Sequence, residues 1–149
     1  EEFLVILDHL EDPHNFGAII RSCEAAGVDG IIIAKNRSVS VNSTVMKVSA
    51  GALANIKIAM VTNLVTTIKQ LKSRNFKIIG TDMLGNDYKT IDYCEKVCLI
   101  IGNEGKGISR LVKENIDEMA CIPMKGKVNS LNASVATAIV VFEASYQRK

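Results

Sequence analysis

Apolar and polar positions follow two different periods along the chain, and their alternation predicts strands separated by helices. Short runs dominated by Ile, Val and Leu are typical of strands that are buried on both faces. Such runs predict strands at 3–8, 30–34, 56–61, 77–82, 97–102 and 120–124. Apolar residues that recur every three or four positions predict helices at 15–27, 42–55, 63–75, 109–116 and 130–147. This order indicates an α/β fold with a mostly parallel sheet flanked by helices.

Two of the predicted helices have apolar stripes that can be assigned residue by residue. In the helix at 15–27, Asn15 is the expected N-cap, Gly27 is the expected residue after its C-terminal end, and Arg21 projects away from the core. The apolar stripe of this helix comprises Phe16, Ile19, Ile20 and Cys23. In the helix at 130–147 the apolar residues that repeat at helical spacing are Leu131, Val135, Ala138 and Phe142.

The composition favours one soluble globular domain. The chain has 149 residues, of which 48% are hydrophobic and 23% are charged. Its longest apolar runs have about five residues, whereas a membrane-spanning helix needs about 20. The net charge of +2 permits an RNA partner without requiring one. Because the chain begins at Glu1 and enters a strand at once, we expect it to be a piece of a longer protein.

The cysteines and histidines do not have the spacing of a metal site. The four cysteines, at positions 23, 94, 98 and 121, are scattered through apolar surroundings, and the two histidines are His9 and His14. A structural zinc site needs four well-spaced ligands. We therefore expect reduced, largely buried thiols, no metal and a cytoplasmic location.

Three loops rich in Gly, Asn, Asp and Ser follow predicted strands, at 80–87, 101–109 and 123–132. An open parallel sheet binds its ligand at the carboxyl ends of its strands, so we expect the three loops to form one pocket. The glycines of "GNEGKG" are spaced GxxGxG, which matches neither the Walker loop nor the dinucleotide fingerprint. Glu104 in this loop would also repel a phosphate. The loops therefore predict a pocket for something other than a phosphate.

Taken in order, "DPHNFGAIIR", "IGNEGKGIS" and "IPMKGKVNSLNASVATAI" resemble the three motifs of the SpoU/TrmH family of RNA ribose 2′-O-methyltransferases, which belong to the SPOUT class. The resemblance extends from Asp8 to about Phe142. It implies that the C-terminal segment threads through a loop to form a deep trefoil knot, which is an exception to the usual rules of chain topology. It also implies a homodimer, bound S-adenosylmethionine, and a small N-terminal RNA-binding domain that is absent from this chain.

The resemblance also implies which residues form the site. The residues that would bind the cofactor are Thr81, Asp82, Ile101, Gly102, Asn103, Gly105, Ile122, Met124, Leu131 and Ala133. The residues that match the family's catalytic positions are Asn15, Arg21, Glu104, Ser130 and Asn132. Lys125 and Lys127 flank the pocket, where they would meet RNA phosphate or remain solvated.

The implied reaction transfers a methyl group from S-adenosylmethionine to a ribose 2′-hydroxyl of RNA and needs no metal. The expected substrate is a guanosine of 23S ribosomal RNA, and the ribose of a transfer RNA is the alternative. Two alternatives of other classes are a knotted RNA-binding module without catalysis and a generic nucleotide-binding module. The presence of all the motif residues disfavours the first alternative, and the failed phosphate spacings disfavour the second.

The group that accepts the hydroxyl proton stays open. The family's proposed base matches Arg21, but a guanidinium has a pKa above about 12 and scarcely deprotonates in proteins. In the alternative assignment, Arg21 clamps an RNA phosphate while Asn15 and Ser130 orient the hydroxyl. The resemblance implies that Glu104 anchors Asn15 or Arg21 from the other subunit of the dimer, rather than contacting RNA.

Overall fold

The computed structural model describes residues 2–35, 51–103, 105–128 and 130–148, apart from the side chains at 53 and 54. Within these ranges six parallel strands form one sheet in the order β3-β2-β1-β5-β4-β6. The strands are β1 (Phe3–Leu7), β2 (Gly30–Ala34), β3 (Lys57–Val61), β4 (Lys77–Asp87), β5 (Val97–Ile101) and β6 (Glu118–Cys121). The predicted parallel sheet is therefore confirmed. The uniformly apolar strands β1, β2 and β5 lie inside the sheet, where both faces are covered.

Helices cover both faces of the sheet. The α-helices of the described residues are α1 (Pro13–Ala26), α2 (Leu64–Ser73), α3 (Arg110–Lys113) and α4 (Ala133–Gln147), and short 3₁₀ helices form at Ala52–Asn55 and Tyr88–Thr90. One core contains residues of α1 and α4 packed against the sheet, and the second core contains residues of α2 and α3. The predicted helix at 42–55 lies largely outside the described residues.

The prediction that Asn15 caps α1 is wrong. The helix begins at Pro13, and Asp12 is its N-cap, because the Asp12 carboxylate accepts a hydrogen bond of 2.8 Å from the His14 amide. Proline at the first helical position has its φ angle already set for a helix, so the helix starts before Asn15. Asn15 lies in the first turn and is buried. The predicted C-terminal residue is confirmed, since Gly27 adopts a φ of 85°.

The helix predicted at 130–147 is confirmed as α4, but its apolar repeat does not mark the face that packs against the sheet. Val135 and Phe142 are 48% and 47% exposed. The residues of α4 that are buried are Thr137, Val140, Val141 and Ala144. This helix is apolar over most of its surface, so periodicity does not reveal which face packs against the sheet. Thr137 can be buried because its hydroxyl donates to the Ala133 carbonyl at 2.7 Å.

Strands β4 and β6 depart from their predicted bounds. β4 continues to Asp87, although the sequence predicts a loop from residue 80. Thr81 and Asn86 both pair with Ala120, so residues 82–85 leave the ladder as a bulge within β4. β6 ends at Cys121, and Pro123, which lacks an amide hydrogen, follows in an irregular segment.

The strand order of the sheet changes direction between the neighbouring strands β1 and β5. β1 is followed by its neighbour β2 on one side, whereas β5 is followed by β6 beyond β4 on the other side. The carboxyl ends of β1 and β5 therefore lie at a topological switch point, where ligands bind in open α/β sheets. None of the helices in the described part of the chain is long and apolar enough to span a membrane.

Candidate active site

A cavity of about 630 Å³ lies at the carboxyl ends of β4, β5 and β6, beside the start of α4. Its volume is within the range of small-molecule and cofactor pockets. The three loops that follow these strands meet there, as the sequence predicts. All ten residues that the resemblance assigned to cofactor binding line the cavity, namely Thr81, Asp82, Ile101, Gly102, Asn103, Gly105, Ile122, Met124, Leu131 and Ala133.

Sequence reasoning missed about half of the cavity wall. The additional lining residues include Met83 of the β4 bulge, Lys113 of α3, Cys121 at the end of β6, and Ala136 and Val140 of α4. Helix periodicity could have suggested a common face for the two α4 residues. No pattern in the sequence indicates Lys113 or Met83. Lys113 lies at the cavity through its ion pair with Asp82, and Met83 lies there because it belongs to the β4 bulge.

The loop after β5 is closed by a pair of backbone hydrogen bonds. The Asn103 amide donates to the Gly107 carbonyl at 2.9 Å, and the Gly107 amide donates back at 3.0 Å. Gly102 lies against this closure so tightly that a Cβ atom on it would be 2.4 Å from the Gly107 carbonyl carbon. Gly107 has a φ of 70°, a backbone conformation that favours glycine. The loop can therefore close only with glycine at position 102.

The Asn103 side chain is fully occupied by hydrogen bonds. Its oxygen accepts from the amides of Gly105 and Lys106 at 2.9 and 3.1 Å. Its nitrogen donates to the His9 carbonyl at 2.6 Å and to the Glu11 carboxylate at 3.1 Å. The oxygen thus stabilises the turn of the loop itself, and the nitrogen binds the loop to the segment between β1 and α1.

A buried carboxylate fastens the far end of the same loop. Asp8 is fully buried, and its Oδ2 accepts from the Ser109 amide at 2.7 Å and from the Ser109 hydroxyl at 2.8 Å. Its Oδ1 lies 2.7 Å from Nδ1 of His9, whose φ of 59° is unusual for a residue with a side chain. The two donors on Oδ2 offset part of the cost of burying this carboxylate, whereas Oδ1 accepts no hydrogen bond from the described residues.

An ion pair joins the β4 bulge to α3 at the cavity wall. Nζ of Lys113 lies 2.9 Å from Oδ2 of Asp82, and the Asp82 Oδ1 accepts from the Leu84 amide at 3.4 Å. The hydrogen bond from Lys113 holds the pKa of the Asp82 carboxyl below its usual range. The cavity wall thus carries charges of both signs among apolar side chains.

The five predicted catalytic residues fall into three groups. Ser130 lines the cavity, and the Asn132 side chain caps α4 by accepting from the Ser134 amide at 2.9 Å. Asn15 and Arg21 lie on α1, outside the cavity wall; Asn15 is buried and Arg21 is exposed. Glu104 lies outside the described residues. Of the five, the structure thus places Ser130 in the cavity wall, while Asn132 stands between the lining residues Leu131 and Ala133. Helix α1 packs against α4, which begins beside the cavity.

The lysines expected beside the pocket are exposed. Lys125 and Lys127 alternate along the chain with Met124, Gly126 and Val128, which line the cavity. Both lysines therefore flank the cavity on a segment without regular secondary structure.

The four cysteines are free thiols. Burial raises the pKa of the Cys23 thiol to about 12 and also raises the pKa of Cys98. Cys94 is exposed, and Cys121 at the cavity donates its thiol hydrogen to the Met83 carbonyl at 3.2 Å. The described residues contain no group of three or more His, Cys, Asp or Glu side chains that could hold a metal ion.

The sequence profile of the "SpoU rRNA Methylase family" matches residues 2–142. The chain is 46% identical over 149 residues to a Bacillus subtilis protein named for the TrmH family of tRNA/rRNA methyltransferases. The match covers 99% of this chain and 60% of that relative, so the chain spans about three fifths of the relative's length.

Solved structures of similar proteins have the same fold. The SpoU methyltransferase AviRb from Streptomyces viridochromogenes, in complex with AdoMet, superposes with a TM-score of 0.91 at 30% identity. That alignment covers 98% of this chain and 57% of AviRb. The A. aeolicus TrmH/SpoU tRNA modifying enzyme superposes with a TM-score of 0.89 at 32% identity, and the alignment covers 98% of this chain and 75% of that one.

Proposed function

Because this chain belongs to the SpoU rRNA methylase family, we propose that it is the catalytic domain of an RNA ribose 2′-O-methyltransferase that uses S-adenosylmethionine. One observation carries the proposal: the ten residues that the motifs select for the cofactor, which come from three separate loops, line one cavity. An accidental match of motifs would have no reason to converge in space.

The cavity suits the shape and the charges of S-adenosylmethionine. Adenine is flat and apolar on its faces, and Ile122, Met124 and Leu131 offer apolar walls, while loop amides and carbonyls offer partners for the ring edges. The amino-acid part of the cofactor carries charges of both signs, as do Asp82 and Lys113. The residues present therefore fit this cofactor.

Bound S-adenosylmethionine would supply an electrophilic methyl group. The chain's own residues would hold the acceptor ribose in line and manage the hydroxyl proton. Ser130 lines the cavity, which supports a role for its hydroxyl in orienting the ribose oxygen. Exposed Arg21 is suited to grip an RNA phosphate in bidentate fashion, and we assign it that role rather than the role of base.

For the substrate, we propose a guanosine of 23S ribosomal RNA, with the ribose of a transfer RNA as the alternative. The names of similar structures support ribosomal and transfer RNA as the two substrate classes, because one is described as an rRNA methyltransferase and another as a tRNA modifying enzyme. The choice of a 23S guanosine rests on the resemblance of the motifs. Mass mapping of methylated nucleosides in ribosomal and transfer RNA from cells that lack the gene would separate the two. A missing 2′-O-methyl group in transfer RNA alone would reject the ribosomal assignment.

We expect S-adenosylmethionine to bind the protein with a micromolar dissociation constant, about −8 kcal/mol. Isothermal titration calorimetry measures this directly, with ATP as the control ligand, because ATP shares the adenosine part and adds phosphates. ATP should bind at least tenfold more weakly, since Glu104 and the GxxGxG spacing do not suit phosphate. Failure of S-adenosylmethionine to bind at millimolar concentration would refute the proposed function, as would stronger binding of ATP.

We also propose that the protein is a homodimer, with α4 contributing to the interface. The exposed side chains of Val135, Phe142 and Tyr146 recur at positions i, i+7 and i+11 and form one stripe on this helix. Sedimentation equilibrium at micromolar concentration should give twice the mass of the chain, and Phe142→Glu should give the mass of the monomer. A monomeric wild-type protein would contradict the assignment.

Three further assignments accompany the proposal. The C-terminal trefoil knot and the cytoplasmic location stay predictions. The N-terminal RNA-binding domain is likewise a prediction, and the chain spans about three fifths of its curated relative. The catalytic tests below are therefore to be made on the full-length protein.

A further inference from the structure

The loop at 101–109, here called the cofactor loop, is fastened at three places to the segment of residues 8–11. The Asp8 amide donates to the Ile101 carbonyl at 2.8 Å, at the start of the loop. The Asn103 side chain donates to His9 and Glu11 near its middle. Ser109 donates twice to Asp8 at its end.

The segment at 8–11 leads directly into α1. Asp12 is the N-cap of this helix. Asn15, which is proposed to act on the substrate, is buried in the first turn of the helix. A displacement of the cofactor loop that preserves these hydrogen bonds must therefore move the start of α1 as well. Loop and helix are joined by a path of only a few residues.

The fastening includes a strained residue. His9 has a positive φ of 59°, and its carbonyl receives the hydrogen bond of 2.6 Å from Asn103. A residue with a side chain rarely adopts this conformation, which persists only where its surroundings hold it. Asn103 supplies such a restraint, because it fixes the direction of the His9 carbonyl.

We infer that Asn103 and Asp8 are positioning residues that couple occupancy of the cofactor cavity to the order of the start of α1. The inference rests on the proposed function for the identity of the ligand. Asn103 lines the cavity, but all its side-chain hydrogen bonds serve the loop and the 8–11 segment. Its role is thus to pass the effect of ligand binding on to α1, the helix proposed to bind the substrate, rather than to recognise the ligand.

Asn103→Asp separates the two functions of this side chain. The carboxylate still accepts from Gly105 and Lys106, so the loop keeps its internal turn. It cannot donate to the His9 carbonyl, and it places a like charge beside Glu11. Asn75→Asp, at an exposed position after α2, makes the same chemical change far from the site and is the matched control.

Hydrogen–deuterium exchange tests the coupling, with S-adenosylhomocysteine as the probe because it has no methyl group to transfer. In the wild type and in Asn75→Asp, the probe should slow exchange in the peptides at 101–109 and at 12–18 by about tenfold, a common size of coupling between sites. In Asn103→Asp the slowing should persist at 101–109 and fall below about twofold at 12–18. The inference would be overturned if the probe slowed exchange in the 12–18 peptide of Asn103→Asp as it does in the wild type. It would also be overturned if the wild type bound the probe and exchange in its 12–18 peptide stayed the same.

A ligand-free comparison keeps the inference separate from the proposed function. Without any probe, Asn103→Asp should already exchange faster than the wild type at 12–18, because the restraint itself is cut. If the probe fails to bind the wild type, the proposed function fails, and the ligand-free comparison still decides whether Asn103 orders α1. Equal ligand-free exchange in the two proteins would overturn the positioning role.

Steady-state kinetics adds a measurement that a general loss of stability would not reproduce. For the full-length Asn103→Asp enzyme, kcat should fall about tenfold while the KM for S-adenosylmethionine changes less than about threefold. If Asn103→Asp does not fold, Ser109→Ala serves instead, since it removes one of the two donors to Asp8 and keeps the other. Unchanged exchange at 12–18 in Ser109→Ala would then contradict the inference.

Discussion

Gly102→Ala is expected to weaken S-adenosylmethionine binding by about 100-fold or more, which corresponds to about 2.7 kcal/mol. The added Cβ would lie 2.4 Å from the Gly107 carbonyl carbon and 2.5 Å from the Ile108 amide nitrogen. Both atoms belong to the backbone, so no side-chain rotation can relieve the contact. The loop would have to open and lose the paired hydrogen bonds between Asn103 and Gly107. Isothermal titration calorimetry of the variant measures the loss.

Gly105→Ala provides a comparison within the same loop. At this position the nearest heavy atom to a new Cβ is Oδ1 of Asn103 at 3.8 Å, which is an ordinary contact. We expect a loss of affinity below about threefold, equal to about 0.7 kcal/mol. The thermal unfolding midpoint of both variants shows whether the folded state survives. Equal affinities of the two alanine variants would contradict the argument that closure of the loop builds the pocket.

Arg21→Ala is expected to reduce methyl transfer to RNA by about 1000-fold, the upper range for removal of one charge-stabilising group from an active site. Affinity for S-adenosylmethionine should stay within about twofold, because Arg21 is exposed on α1 and does not line the cavity. Single-turnover assays on the full-length enzyme measure the transfer, and calorimetry measures the affinity.

Two further variants sharpen the result for Arg21. Arg21→Lys keeps the positive charge and loses the planar fork, so a bidentate phosphate clamp predicts an intermediate rate. Arg110→Ala removes another exposed arginine, at the start of α3, whose side chain is 81% exposed and pairs with Glu114. Its rate should equal that of the wild type. Near-wild-type activity of Arg21→Ala would show that the assigned role is wrong.

The fold was largely predictable because its signals are local. The runs "FLVIL", "GIIIA" and "VCLII" are apolar throughout, and this pattern alone places them in a sheet covered on both faces. Helix α1 was also predicted, although it starts two residues earlier than the prediction, because Asp12 and Pro13 form a more effective start than Asn15. The buried face of α4 was not predictable, since most faces of this helix are apolar.

Ten residues of the cofactor cavity were expected from the resemblance to the SpoU/TrmH family, whereas most of its other wall residues were not. Each motif is a short stretch whose residues necessarily lie close together, and a parallel sheet brings the carboxyl ends of its strands to one edge. Met83 and Lys113 depend instead on the bulge in β4 and on the approach of α3. Neither feature has a periodic signal in the sequence.

The sequence by itself therefore determined the strands and the helix order, because hydrophobic periodicity acts over short stretches, and the resemblance of its motifs to a known family indicated the residues of the cofactor cavity. Only the tertiary structure decided that Asp8 meets Ser109, 101 residues away, and that Asp82 meets Lys113, 31 residues away. Such pairs arise where parallel crossovers return distant segments to one edge of the sheet. Their energy depends on distance and burial in the folded chain, which no local pattern of residues encodes.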